Sequence, residues 1–372
     1  MEIKKIVIIG PGDSIYTKGF CENVKQSNLD ITLITNKTSC GEYYAEKEIN
    51  IIEVEDLWWY DPKMKLIGDQ LEQDYVKKKG APDICIIHYS HFATVSSFHK
   101  IWMRANKRIL VFWGSDFYML PQKREKMMLK FSLEATCLVF VIPELKKAFL
   151  KKFSPFFFIK GKVVDFGMNL YDEINEIRDE FTKDDCKEFF NIPLERKVIH
   201  IGYNGTERQN HIEVLRVISR LDENLKQKLF IVIPFQYYPS TDYLQNIKDE
   251  LKKTNIQGMI VDEVFDAKKT VIFRKSADIF LYNQETDAGS QSVIEYALLG
   301  AKIVMPNRLL RNYSLFKKSR FRLYSYGDAS DILSFFKKGF CGESDIELLD
   351  AYINENLSWK AIITRWQKIL GI

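Results

Sequence analysis

No two of the six cysteines, Cys21, Cys40, Cys85, Cys137, Cys186 and Cys341, stand at C-x-x-C spacing. That excludes a disulfide framework or a zinc knuckle as the organising device and leaves reduced, mostly buried thiols as the expectation. Long hydrophobic runs are missing too. Stretches such as RILVFWG fall far short of the ~20 apolar residues that cross a bilayer. The opening MEIKKIVIIGPGD enters a strand-like run without a signal-peptide core, so a chain that stays in the cytosol is expected. Histidine is scarce, at five residues, which argues against chemistry that relays protons among several cleft histidines. No short-period repeat or low-complexity tract appears, and 28% charged residues with 46% hydrophobic residues argue for folded domains.

Charge is present but unevenly spread. The net charge of +4 is ordinary, whereas residues 97–162 hold fourteen Lys or Arg against four Asp or Glu, interleaved with aromatics. Such a surface favours an anionic partner: lipid headgroups, pyrophosphate or nucleic acid. Nucleic acid is the weakest of the three, because neither a recognition helix nor a stacking sheet is legible around the patch.

The apolar, β-branched run KKIVIIG ends in Gly-Pro-Gly, is followed by the helix-spaced SIYTKGFCENVKQS, and then by DITLIT. This β-loop-α-β opening belongs to a parallel, doubly wound sheet. INIIEVE, DICIIHYS, RILVFWG, CLVFVI and KGKVVDFG continue the series, and FTKDDCKEFFNIPLER reads as a polar helix and linker. A second series runs from RKVIHIGYNG through LFIVIPF, GMIVDEV, DIFLYN and AKIVMPN. The expected organisation is therefore α/β, with a Rossmann-like unit over 1–170, a linker over 171–195, a second Rossmann-like unit over 196–340, and C-terminal helices over 341–372 packing back toward the first unit. Two such lobes expect a ligand cleft between the C-terminal edges of their sheets.

This architecture resembles the GT-B fold of nucleotide-sugar glycosyltransferases, and short patches sharpen the resemblance. GDSIYTKGFCENVKQSNLDITLIT is similar to the first loop and helix of the large retaining family that carries two acids separated by seven residues. There a glycine turn containing Gly12 would precede a helix whose N–H groups suit donor phosphates; Tyr16 stands where that family often has His. PDICIIHYSHF resembles the family's strand end, with His88 on the histidine beside the transferred sugar and His91 as its rival. RILVFWGSDFYML is similar to its V-x-W-G-S-D segment, where Asp116 either binds an acceptor hydroxyl or caps the next helix.

In the second unit IHIGYNGTERQNHIEVL opens a helix after a strand. The resemblance implies donor diphosphate binding by Gly202, Asn204 and Arg208, with Tyr203 replacing an earlier Arg, so that one of two phosphate cations is missing. The same string, ending in Asn-His, also resembles the fucosaminyl transferases of enterobacterial polysaccharide synthesis. DAGSQSVIEYALLGAKIV then supplies the pair of acids. The family's second acid bonds the ribose hydroxyls, a role implied for Glu295, and its first lies under the donor sugar, a role implied for Asp287 with Glu285 as alternative. Gly289, Ser290 and Gln291 are left to face the phosphates.

Taken together, the sequence points to a cytosolic glycosyltransferase that moves a sugar from a nucleoside diphosphate sugar to an acceptor hydroxyl, with retention. His88 and Asp287 are the implied catalytic residues, no cofactor or metal is expected, and the acceptor is a saccharide or lipid-linked saccharide, with an anionic membrane as a possible further partner. The alternatives are a catalytically silent GT-B subunit that stabilises a partner transferase, or a nucleotide-sugar epimerase on the same fold.

Overall fold

The β-branched runs become the strands of two parallel sheets. The computed structural model describes residues 3–58, 62–236, 240–338 and 346–372, so Cys341 lies outside the described residues. It divides the chain into two units, Met1–Asn169 with Asn356–Ile372, and Leu170–Glu355.

In the first unit β1 (Lys4–Ile9), β2 (Leu29–Asn36), β3 (Asn50–Val54), β4 (Ile84–His88), β5 (Lys107–Phe112), β6 (Cys137–Phe140) and β7 (Gly161–Val163) form one sheet in the order β3-β2-β1-β4-β5-β6-β7. Every pairing is parallel, with Ile8 opposite Ile86 and His88 opposite Val111. Ile6–Ile9 and Ile84–Ile87 are buried, as expected of strands covered on both faces. The chain's last helix, Trp359–Leu370, closes this unit: Ile362, Trp366 and Leu370 are buried, and the Trp366 ring meets Phe20 edge-on at 4.8 Å. Trp366 Nε1 donates to the Asp165 carbonyl at 3.0 Å and Trp359 Nε1 to Asn169 Oδ1 at 2.9 Å.

In the second unit β8 (Lys197–Ile201), β9 (Leu229–Pro234), β10 (Gly258–Val261), β11 (Ile279–Leu281), β12 (Lys302–Pro306) and β13 (Tyr324–Tyr326) are ordered β10-β9-β8-β11-β12-β13, again all parallel. The segment 171–195 carries two helices, Tyr171–Glu180 and Lys183–Phe189, and both belong to this unit. Lys275 Nζ donates to the carbonyls of Ile177 and Arg178, fixing the first of them. Of the C-terminal stretch, the helix Ile346–Asn356 lies almost wholly in the second unit and Trp359–Leu370 in the first.

The strand order reverses between β1 and β4 in one sheet and between β8 and β11 in the other. Parallel sheets bind ligands outside the carboxyl ends of strands at such switch points. Gly10, His88, Gly202 and Asn283 stand there. Cys21, Cys85, Cys137 and Cys186 are buried free thiols and Cys40 is a half-buried one.

Candidate functional site

At the first switch point the chain passes close to itself. A Cβ on Gly10 would stand 2.6 Å from the His88 carbonyl oxygen, so only glycine fits. Gly12 N–H donates to Thr35 Oγ1 at 2.7 Å, which fixes the turn before the helix Ile15–Val24. From that helix Thr17 Oγ1 lies 3.3 Å from His88 Nδ1. Phe20, Trp113 and Phe166 surround the imidazole at 4.8, 5.1 and 4.9 Å, and Tyr16 packs on Trp113 and Phe166. His88 is fully buried, its Nε2 has no hydrogen-bond partner among the described residues, and burial pushes its pKa down to about 3. The ring is therefore neutral at physiological pH and can give or take one hydrogen bond through Nε2.

His91 stands apart from this cage, with its ring near Trp58 and Phe92. Burial lowers its pKa, partly offset by Asp56. Asp116 turns inward. Its carboxylate accepts the backbone N–H of Ser90 at 2.9 Å, of Trp113 at 3.1 Å and of Gly114 at 2.9 Å, clasping the ends of β4 and β5 together. Gly114, not Asp116, caps the short helix Ser115–Tyr118. Burial raises the Asp116 pKa to about 6 against the pull of those N–H groups. Of the two readings of Asp116, a hydroxyl contact or a cap, the structure replaces the cap with a clasp between loops.

At the second switch point two loops are zipped together. Gln209 Nε2 donates to Gln284 Oε1 at 2.7 Å, Asn210 Nδ2 to the Asn283 carbonyl at 2.9 Å, and the Arg208 guanidinium to Thr286. Gly202 has φ +69°, and a Cβ there would lie 2.7 Å from His211 Nε2. Asn204 closes its own turn by accepting from Thr206 Oγ1 at 2.7 Å. Tyr203, where a phosphate cation was missed, is half-buried beside these loops, and burial with the neighbouring Asp287 charge raises its phenol to about 12. A second cation nevertheless reaches the zipper from elsewhere: Arg308, just after β12, donates to the Gln284 carbonyl at 3.0 Å.

Asp287 and Glu295 are both buried and both engaged by the protein. Asp287 accepts from the Tyr313 hydroxyl and from Ser290 N–H at 3.1 Å, while Asn312 Nδ2 donates to its carbonyl at 2.7 Å. It is thereby the anion at the start of the helix Gln291–Leu298, a placement the helix dipole favours. Burial raises its pKa, opposed by hydrogen bonds from Tyr313, Ser290, Tyr282 and Ala288. Gly289 turns the loop with φ +82°, and Glu285 is exposed. Glu295, expected against ribose, forms an ion pair with Arg274, whose Nη2 donates to Ser292 Oγ at 3.2 Å. Burial raises the Glu295 pKa and Arg274 opposes it.

Gly12, Tyr16, His88 and Asp116 thus gather at the carboxyl edge of the first sheet, with His91 to one side. Gly202, Asn204, Arg208, Asp287, Gly289, Ser290 and Gln291 gather at that of the second, and Glu295 sits behind them. Thr17, Arg274, Arg308 and Tyr313 were missed. So was half-buried Asp165 at the end of β7, which burial pushes up to about 7. Arg308 and Asp165 had a readable signal, a charged residue within two positions of a parallel strand's carboxyl end.

Residues 5–142 match the family described as glycosyl transferase 4-like. A glycosyltransferase from Rickettsia africae superimposes with a TM-score of 0.76 at 17% identity, over 100% of this chain and 98% of that one. Anabaena HepE in complex with UDP and glucose gives 0.71 at 9% identity over 99% of each chain. Sucrose-phosphate synthase from Thermosynechococcus elongatus gives 0.71 at 12% identity over 98% of each. No curated protein matches. The structural matches establish the GT-B fold, and residues 5–142 carry the glycosyltransferase family match.

Proposed function

We propose that this glycosyltransferase of GT-B fold moves a sugar from a nucleoside diphosphate sugar to a hydroxyl of a lipid-linked or cell-surface saccharide precursor, with retention, as a peripheral enzyme of polysaccharide synthesis. The observation that carries the reading is the zipper at the second switch point. Two glycines with positive φ, Gly202 and Gly289, let the backbone approach a ligand, and Arg208 and Arg308 bring two positive charges to one loop. That combination suits a diphosphate. The neighbour HepE, solved with UDP and glucose and with UDP-glucose, supports a nucleotide sugar as the donor.

In this reading the bond between the sugar's anomeric carbon and the diphosphate oxygen breaks as the bond to the acceptor oxygen forms on the same face. The departing phosphate takes the acceptor's proton. Arg208, Arg308 and the backbone N–H groups of Gly289 to Gln291 offset the charge that develops on the diphosphate, so the reading calls for no metal. Asp287, held by Tyr313, shapes the loop that presents those N–H groups. His88, neutral and oriented by Thr17, offers Nε2 to a sugar hydroxyl once the cage of Trp113 and Phe166 opens. Glu295 braces the helix Gln291–Leu298 through Arg274.

The test is a thermal-shift panel of UDP, TDP, GDP and CDP sugars. A ligand at ~100 times its dissociation constant adds about 2.7 kcal/mol to stability. Stabilisation by one nucleotide class is expected, and an unchanged melting temperature with all four would refute the reading.

A further inference from the structure

The stretch Ser154–Lys160 lies outside the site built above, and among the described residues it carries the barest apolar surface of the first unit. Phe156, Phe158 and Ile159 are 85%, 66% and 79% exposed. They sit on a 3-10 turn, Pro155–Phe158, capped by Ser154 and rooted by Phe157, which is buried against Phe149. The knuckle is held in place, not loose: Lys146 Nζ donates to the Gly161 carbonyl at 2.7 Å and lies over the Phe158 ring. Lys160 Nζ donates to the carbonyls of Leu133 and Ala135 at 2.7 and 2.9 Å, which brings exposed Leu133 alongside.

Cations collar this apolar knuckle. Lys151 and Lys152 end the helix Pro143–Lys152, Lys162 is exposed on β7, and Lys130 stands a turn before the end of the helix Glu125–Glu134. Some of this charge serves the helix dipoles, and Lys152 pairs with Glu125 at 2.7 Å. A dipole explains lysines but not bare phenylalanines.

We infer that this knuckle is a docking surface for an anionic lipid bilayer, with Phe156, Phe158 and Ile159 entering the headgroup layer and Lys151 and Lys162 meeting lipid phosphates. Aromatic and aliphatic tips inside a basic collar complement such a surface in both polarity and charge. A second copy of the chain fits less well, because two-fold pairing through a convex, same-sign patch sets lysine against lysine. No helix of the described residues is long and apolar enough to cross a membrane, so the attachment is peripheral.

Flotation with vesicles tests it without any sugar chemistry. Lys146 and Lys152 are engaged inside the protein and are left alone; the variants are Phe156→Ser with Phe158→Ser, and Lys151→Glu with Lys162→Glu. The wild type is expected to float with phosphatidylcholine–phosphatidylglycerol vesicles and to stay behind with phosphatidylcholine alone. Each variant is expected to lose at least ~10-fold in partitioning with its melting temperature unchanged. A wild type that ignores the anionic vesicles, variants that float as well as it does, or a wild-type dimer in light scattering that the phenylalanine variant dissolves would each overturn the inference.

Discussion

His88→Gln should remove a defined part of the first unit's sensitivity to acid. The imidazole is fully buried and its pKa falls from 6.5 to about 3. The unfolded chain therefore binds a proton that the folded chain refuses, and stability is lost as pH drops through 6.5 toward 3. Between about pH 7 and about pH 5 the loss attributable to His88 is ~2 kcal/mol, from 1.36 kcal/mol for each pH unit below the unfolded pKa. Asp116 and Asp165, raised to about 6 and about 7, act with the opposite sign, since folding favours their protonated forms. They are common to both proteins and cancel in the difference. Glutamine is neutral throughout and can still reach Thr17. Urea unfolding followed by tryptophan fluorescence is the assay, because all six tryptophans, at positions 58, 59, 102, 113, 359 and 366, fall within the first unit. Wild type should lose about 2 kcal/mol more than His88→Gln over that interval. Equal losses would refute a buried, neutral His88.

Other substitutions follow from the same geometry. Glu295→Ala leaves the half-buried Arg274 without its partner and should cost ~2–3 kcal/mol in unfolding followed by circular dichroism; a fully stable variant that loses nucleotide affinity would return Glu295 to the ribose. Tyr313→Phe removes the phenol that holds Asp287 and should cost ~1–3 kcal/mol and weaken nucleotide binding, both read by calorimetry; unchanged binding would separate the loop's order from its function. Gly202→Ala meets both a positive φ and His211 Nε2, so its melting temperature should fall by several degrees, equivalent to ~1–2 kcal/mol or more.

The strands were the most legible part of the chain. DICIIHYS, RILVFWG and LFIVIPF are apolar, β-branched runs bounded by polar or turn residues, and they became β4, β5 and β9. A strand of three residues, β13, left no such run. The segment 171–195 looked like a linker because its polar face dominates, yet Ile174 and Ile177 are buried within the second unit. The site was legible in its positions and less so in its contacts. The glycine turns and His88 came from strand ends, where topology forces residues together. The partners of the two acids did not, because Arg274 and Tyr313 lie 21 and 26 residues away from Glu295 and Asp287 and are brought in by packing between helices. The aromatics of 97–162 were legible only as interleaved with charge, whereas the turn at Ser154 points Phe157 inward and Phe156 and Phe158 outward.

The central claim, that the second unit's zipped loops hold a diphosphate, is tested most directly by titrating UDP and uridine into wild type and Arg208→Ala. The guanidinium should meet phosphate oxygens, so the variant should lose roughly 1.5–3 kcal/mol for UDP and almost nothing for uridine. Equal losses for the two ligands, or no loss for either, would contradict it.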